Sequence, residues 1–118
     1  MMIDPEKIQS YHAHVYYNPA SRAAAELLRE AIASGFSVEL GRWREEPVGP
    51  HPEPMYQVKF ACSEFSRIVP WLMLNRKGLT ILIHPNTGDA YLDHTENALW
   101  LGQMLKLNLE ILSHTKRA

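Results

Sequence analysis

Six histidines are spread over 118 residues, and five of them stand in short contexts that restrict the backbone. These are His12 and His14 in Tyr11-His12-Ala13-His14-Val15-Tyr16, His51 in Gly49-Pro50-His51-Pro52, His84 in Ile83-His84-Pro85, and His94 directly after Asp93. Imidazole titrates near neutral pH and, when neutral, binds transition metals, so this set suits a metal centre with acid/base partners. Two histidines at i and i+2 on a strand share a face, and a third from a neighbouring strand can converge with them on one ion. Three protein ligands leave positions open. Fe(II) there would hold a bidentate substrate together with dioxygen, whereas Zn(II) would activate water. The spacing by itself is also compatible with solvated strand histidines. His51, clamped between prolines, is placed reproducibly and suits an acid/base; the alternative is an exposed turn histidine. His94 reads as a first-turn helix residue whose protonated form the dipole disfavours, or as a plain helix start. Arg42, Arg44 and Lys59 could meet an anionic substrate group, and His114, in the polar tail, is set aside.

Positioning such a cluster requires particular elements. Residues 9–17 alternate as a strand, with His12, His14 and Tyr16 on one face and Ala13 and Val15 on the other. Asn18 is a good N-cap and Pro19 suits a first turn. The stripe Ala20, Ala23, Ala24, Leu27, Leu28, Ala31, Ile32 then predicts a helix ending before Gly35. Residues 36–41 alternate again, and residues 43–54 hold four of the eight prolines, which makes a stiff loop. Tyr56, Val58, Phe60 and Cys62 fall on one face of a third strand, Cys62 as a buried small hydrophobe. Ser63 is the expected cap of a second helix that packs Phe65, Ile68, Val69 and Leu72, with Pro70 inside it or at its start. Residues 79–84 make a fourth strand. Asp93 to Glu96 has capping-box spacing for a short helix through Trp100, and the alternating leucines of 105–111 read as a fifth strand.

Strand, helix, strand, strand, helix, strand is the split β-α-β order of an α+β, ferredoxin-like sandwich, an antiparallel sheet with helices on one face. In that topology the first strand lies between the third and fourth and runs antiparallel to the fourth, so His84 falls beside His12. His12, His14, Tyr16, Lys59, Leu82 and His84 then share the open face. Such a face needs cover, and a second subunit with the fifth strand is the expected source, making a homodimer.

Composition narrows the function classes. Twelve basic against thirteen acidic residues, with no Lys/Arg run, lack the footprint of a nucleic-acid binder. The apolar stretches fall well short of the roughly 18 residues that suggest a bilayer span, and the first residues lack a signal-like apolar run. A single cytoplasmic domain over residues 1–118, without nucleic-acid or membrane partners, is the expectation.

Together the motifs resemble one family, the small DOPA 4,5-dioxygenases of fungi and bacteria. The resemblance is carried by His12-Ala13-His14-Val15-Tyr16, Gly49-Pro50-His51-Pro52, Asn75-Arg76, Leu82-Ile83-His84-Pro85, Asp93-His94 and Asn97-Ala98-Leu99-Trp100-Leu101-Gly102, spanning about residues 11 to 112. It implies an extradiol enzyme with non-heme Fe(II) that opens a catechol ring beside its two hydroxyls using O2, giving a yellow semialdehyde. The implied iron ligands are His12, His14 and His84, with His51 and His94 handling protons or oxygen and Tyr16 and Arg42 contacting substrate. L-DOPA or a caffeate-like acid is the implied substrate class, and another divalent metal such as zinc can occupy the site after purification. The competing readings are a noncatalytic ferredoxin-like dimeric module that binds a metal or small ligand, and a zinc hydrolase.

Overall fold

The alternation around the first two histidines does form a strand, β1 (Ser10–Tyr16), at the centre of an antiparallel sheet. The computed structural model, which describes residues 2–112, continues with α1 (Arg22–Gly35), β2 (Glu39–Leu40), β3 (Met55–Phe60), α2 (Phe65–Asn75), β4 (Ile81–Asn86), α3 (Ala90–His94) and β5 (Leu99–Leu101). The strands lie in the order β2-β3-β1-β4-β5, each pair of neighbours antiparallel. This is the expected α+β arrangement, with β1 between β3 and β4.

Local chemistry explains the first helix. Ser21 N–H donates to Asn18 Oδ1 at 2.9 Å, and Asn18 N–H donates back to Ser21 Oγ at 2.9 Å. With Pro19 pre-set for a first turn, these reciprocal bonds start a short 3-10 turn that runs into α1. Ala25, Leu28 and Ile32 of α1 and Ile68, Val69 and Leu72 of α2 then pack on Ala13, Val15, Val58, Phe60, Ile81 and Ile83 of the sheet. Burying each large aliphatic side chain of this kind contributes about 1.5–3 kcal/mol. The apolar sets assigned to one face by parity therefore all meet the helices.

Several local expectations change. Regular pairing in the second strand is confined to Glu39–Leu40, although Phe36, Val38 and Leu40 still pack on the core as their alternation implies. Cys62 is exposed rather than buried, because β3 ends at Phe60 and the alternation stops before it reaches the thiol. Ser63 lies inside the 3-10 turn Cys62–Glu64 and caps nothing. Glu64 is the buried group there, accepting from Ser37 N–H at 2.8 Å and pairing with Arg67 at 2.7 Å. Pro70 sits within α2.

The open face is covered by the chain itself. Tyr16, Met55, Leu82 and Leu107 form a second buried cluster, with Ala98, Trp100, Leu105 and Leu109 partly buried around it. Residues 105–111 are thus not a fifth strand. The place beside β4 is taken by β5, after which Gly102, at φ 86°, turns the chain off the sheet edge. A Cβ there would meet Thr80 Oγ1 at 3.3 Å, so glycine suits both the angle and the space. The alternation of leucines is real, but it marks a strap whose apolar side lies on the sheet face. The apolar part of that face is in this way covered from within the chain.

Leu82→Ala, at a fully buried position, should cost about 2–5 kcal/mol in urea denaturation, and Leu107→Ala should approach the lower end of that range. Met104→Ala, at a residue 71% exposed, should stay within about 0.5 kcal/mol. A strap that were merely draped over the sheet would make Leu107→Ala behave like Met104→Ala.

Candidate metal centre

Strand pleat and register bring the first three histidines together. His12 and His14 project from the same face of β1, and His12 lies directly opposite His84 in the β1/β4 register, with His14 opposite Leu82. His14 Nε2 and His84 Nε2 are 3.1 Å apart in a buried contact. His12, His14 and His84 each offer a ring nitrogen within 4.8 Å of the others. Pro85 is tolerated in β4 because β5 pairs only with Ile81, Leu82 and Ile83, so no ladder partner faces its missing N–H.

The other two histidines arrive from outside the sheet's long strands. α3 begins at Ala90 with Asp89 as its N-cap, whose carboxylate accepts from Leu92 N–H at 3.0 Å, and it ends at His94. The helix expected from Asp93 through Trp100 therefore lies earlier in the chain, and Trp100 belongs to β5. Asp93 is not a cap either. Its buried carboxylate accepts from Thr87 N–H at 2.9 Å and Thr87 Oγ1–H at 2.6 Å, clamping the turn that folds α3 back on β4. His94 closes the last turn of α3, so the dipole argument made for a first-turn residue does not apply. Its ring centre is 4.0 Å from that of His84. His51 comes from the proline-rich loop, where its N–H donates to Val48 O at 3.1 Å across a turn containing Gly49 at φ 62°. Pro50 O accepts from Asn108 N–H of the strap at 2.9 Å, and the His51 ring centre lies 4.1 Å from that of His14. His14, His51 and His94 form a second possible ligand group, sharing His14 with the first.

All five histidines singled out in the sequence thus occupy one patch. Tyr16 joins them, but beneath the surface: it is 2% exposed and its Oη lies 2.6 Å from His51 Nδ1. Arg42 is exposed just after the edge strand β2 and makes no ion pair or ring contact among the described residues. Lys59 is the cation registered beside the cluster, opposite His12. Asp93, Thr87 and the strap residue Asn108 went unrecognised in sequence as supports, since their contacts depend on how the turn and strap fold back. A cavity of about 570 Å³ lies against Ile8, Tyr11, Phe65, Ile83 and Leu92 and includes none of the five histidines.

Comparison with known proteins gives the cluster its context. The model of the "Dopa 4,5-dioxygenase family" matches residues 11–111, a span that includes all five rings. The chain belongs to this family. A DOPA 4,5-dioxygenase of Amanita muscaria is 33% identical over 117 residues, covering 92% of this chain and 51% of that one. An uncharacterised 21.2 kDa protein of Botryotinia fuckeliana is 34% identical over 120 residues, covering 92% and 66%. The chain therefore spans about half to two thirds of these relatives. A crystal structure of a candidate dioxygenase from Nostoc punctiforme is 53% identical and superimposes with a TM-score of 0.92, covering 93% of this chain and 96% of that one. Membership of a dioxygenase family supports an enzyme. No helix among the described residues is long and apolar enough to cross a membrane.

The protonation states of this family member suit a metal. Burial is the largest cause of lowered pKa at every ring. His12 and His51 fall from 6.5 to about 4, helped by Lys59 beside His12 and by His94 beside His51. His84 falls to about 3 even though its bond to Pro85 O pulls the other way, and His14 lies well below the ordinary range. His94 is lowered less decisively, its bond to Ala90 O and the nearby Asp93 opposing burial. Near pH 7 the patch is a set of neutral imidazoles, the form in which histidine ligates. His84 Nδ1–H donates to Pro85 O at 2.9 Å, which leaves its Nε2 lone pair free toward His14. His14 Nδ1 is buried without a partner among the described residues. Two Nε2 atoms at 3.1 Å match the roughly 3 Å separating adjacent ligands about 2.1 Å from one ion. The donor set therefore fits a borderline divalent metal.

These shifts carry a sign for metal-free protein. The unfolded rings take up protons near pH 6.5 while the folded rings stay neutral to about pH 4, so the unfolded state binds more protons between those values. Stability should be full above about pH 6.5 and decline steadily as pH falls toward 4. Urea midpoints across that range should show the slope, and His84→Gln should flatten it. A pH-independent midpoint in the metal-free wild type would contradict the buried, neutral cluster.

Proposed function

We propose that this chain is an extradiol dioxygenase that cleaves the ring of a catechol at Fe(II) held by His12, His14 and His84. The observation that carries the reading is the convergence of five neutral imidazoles on one face of a single sheet, in a chain of a dioxygenase family. Fe(II) bound there would supply redox chemistry with dioxygen and a Lewis-acid site for a catechol, whereas Zn(II), without redox chemistry, would supply neither electrons nor oxygen activation.

The remaining residues orient the substrate and manage protons. His94 Nδ1–H donates to Ala90 O at 2.8 Å, so its Nε2 carries a lone pair that can take a phenolic proton. His51, its ring centre 4.1 Å from that of the shared His14, is the second group that meets substrate oxygen. Tyr16 enters through His51 rather than by touching substrate, because its hydroxyl is already spent. Lys59, opposite His12, is placed to meet a carboxylate carried by L-DOPA or a caffeate-like acid. Trp100, Leu105 and Leu107 keep water from the buried side of the patch.

Anaerobic loading with Fe(II), addition of L-DOPA or caffeate and then air should give a yellow product with matching oxygen uptake. Both should vanish in His14→Ala, the residue common to the two ligand groups. Tight metal binding with no turnover across a catechol panel would favour the noncatalytic module instead.

A further inference from the structure

We propose that Tyr16 is a positioning residue that holds His51 in the tautomer with its proton on Nε2, making His51 a neutral hydrogen-bond donor in a cluster whose other oriented rings present bare Nε2 atoms. The inference deepens the dioxygenase reading and rests on it for the role of His51, though not for its proton position.

The contact is short and buried. Tyr16 Oη and His51 Nδ1 are 2.6 Å apart, and both residues are buried. Two directions are possible in principle, since the hydroxyl can donate to Nδ1 or accept from Nδ1–H. The surroundings decide between them. The Tyr16 ring lies among Met55, Leu82, Trp100 and Leu107, and its hydroxyl has no other hydrogen-bond partner among the described residues. Accepting from His51 would leave the hydroxyl hydrogen of this buried residue with no acceptor among the described residues. Donating to His51 satisfies it. With Nδ1 accepting, the neutral ring carries its hydrogen on Nε2.

His84 and His94 are held the opposite way. Each faces a backbone carbonyl, Pro85 O at 2.9 Å and Ala90 O at 2.8 Å, and a carbonyl can only accept. Their hydrogens sit on Nδ1 and their Nε2 atoms are bare. The cluster thus separates lone pairs suited to a metal or a proton, at His84 and His94, from an Nε2–H at His51 suited to an oxygen that gains negative charge. A neutral imidazole can serve that purpose without giving up its proton. The backbone of the His51 loop is pinned as well, through Val48 O and through Pro50 O to the strap, so the ring is fixed at both ends.

The test is two-bond proton–nitrogen correlation spectroscopy of protein labelled with 15N-histidine, metal-free and zinc-loaded, at a pH above the imidazole range. His51, assigned by its loss in His51→Gln, should show the Nε2–H pattern in both states, and His84 and His94 the Nδ1–H pattern when metal-free. In Tyr16→Phe, which keeps the packing ring, the His51 pattern should change while those of His84 and His94 stay. An Nδ1–H pattern for His51 in the wild type, a zinc-bound Nε2 there, or an unchanged pattern in Tyr16→Phe would overturn the proposal. In turnover, Tyr16→Phe should lower kcat about 10-fold or more with KM within about 2-fold, as for loss of alignment of one oxyanion donor. A raised KM at constant kcat would instead make Tyr16 a substrate contact. Because the spectra need no turnover, a protein that fails with every catechol yet shows these tautomers refutes the dioxygenase reading alone.

Discussion

The register of β1 against β4 is the constraint on which the rest depends. His12 opposite His84, with His14 two residues along, is a property of one antiparallel ladder. Because side chains alternate with a period of two, a slip of one residue would turn His12 and His14 toward the helices and bring Ala13 and Val15 out. That slip is resisted by the core rather than by the histidines. Ala13, Val15, Ile81 and Ile83 are buried under α1 and α2, and their burial holds the opposite face in place. The site is in this sense printed on the reverse of the hydrophobic core.

Closing a polar patch is costly, and the structure shows how the cost is limited. Burial disfavours protonated imidazole, so the rings stay neutral and stack or tilt against one another at ring-centre distances of 4.0 to 6.2 Å. Carbonyl oxygens of Pro85 and Ala90 and the hydroxyl of Tyr16 fix three of the ring orientations. His14 Nδ1 remains without a partner among the described residues. A cluster of this kind gains most from a ligand that takes lone pairs, and a metal bound there would add to folding stability. The strap serves both ends, its leucines sealing the apolar part of the face and its Asn108 N–H holding the His51 loop.

Legibility in the sequence followed the range of the interactions. The Asn18 cap with Pro19, the helical stripe of α1 and the alternation of β1 and β3 act over a few residues, and each formed as its pattern implies. The strand pairing was legible one step further, because few topologies accommodate that element order. Misreadings arose where two local signals competed or where distant contacts decided. Asp93 has capping spacing, yet Asp89 caps α3 and Asp93 clamps Thr87, a choice made by how α3 packs on β4. Alternating leucines at 105–109 show an extended segment with one apolar side, but cannot say whether it joins a ladder or lies across a face.

By itself, then, the sequence determined which residue types were available for chemistry, which strand faces carried them and that His12, His14 and His84 could meet, because side-chain alternation and capping are short-range geometry. Only the tertiary structure decided that His51 and His94 enter the same cluster, that the Tyr16 hydroxyl meets His51 and that the chain covers the apolar part of its own sheet face. Those outcomes depend on where a loop, a turn and a strap come to rest. Their resting places are fixed by contacts such as Asn108 N–H to Pro50 O, between residues far apart along the chain.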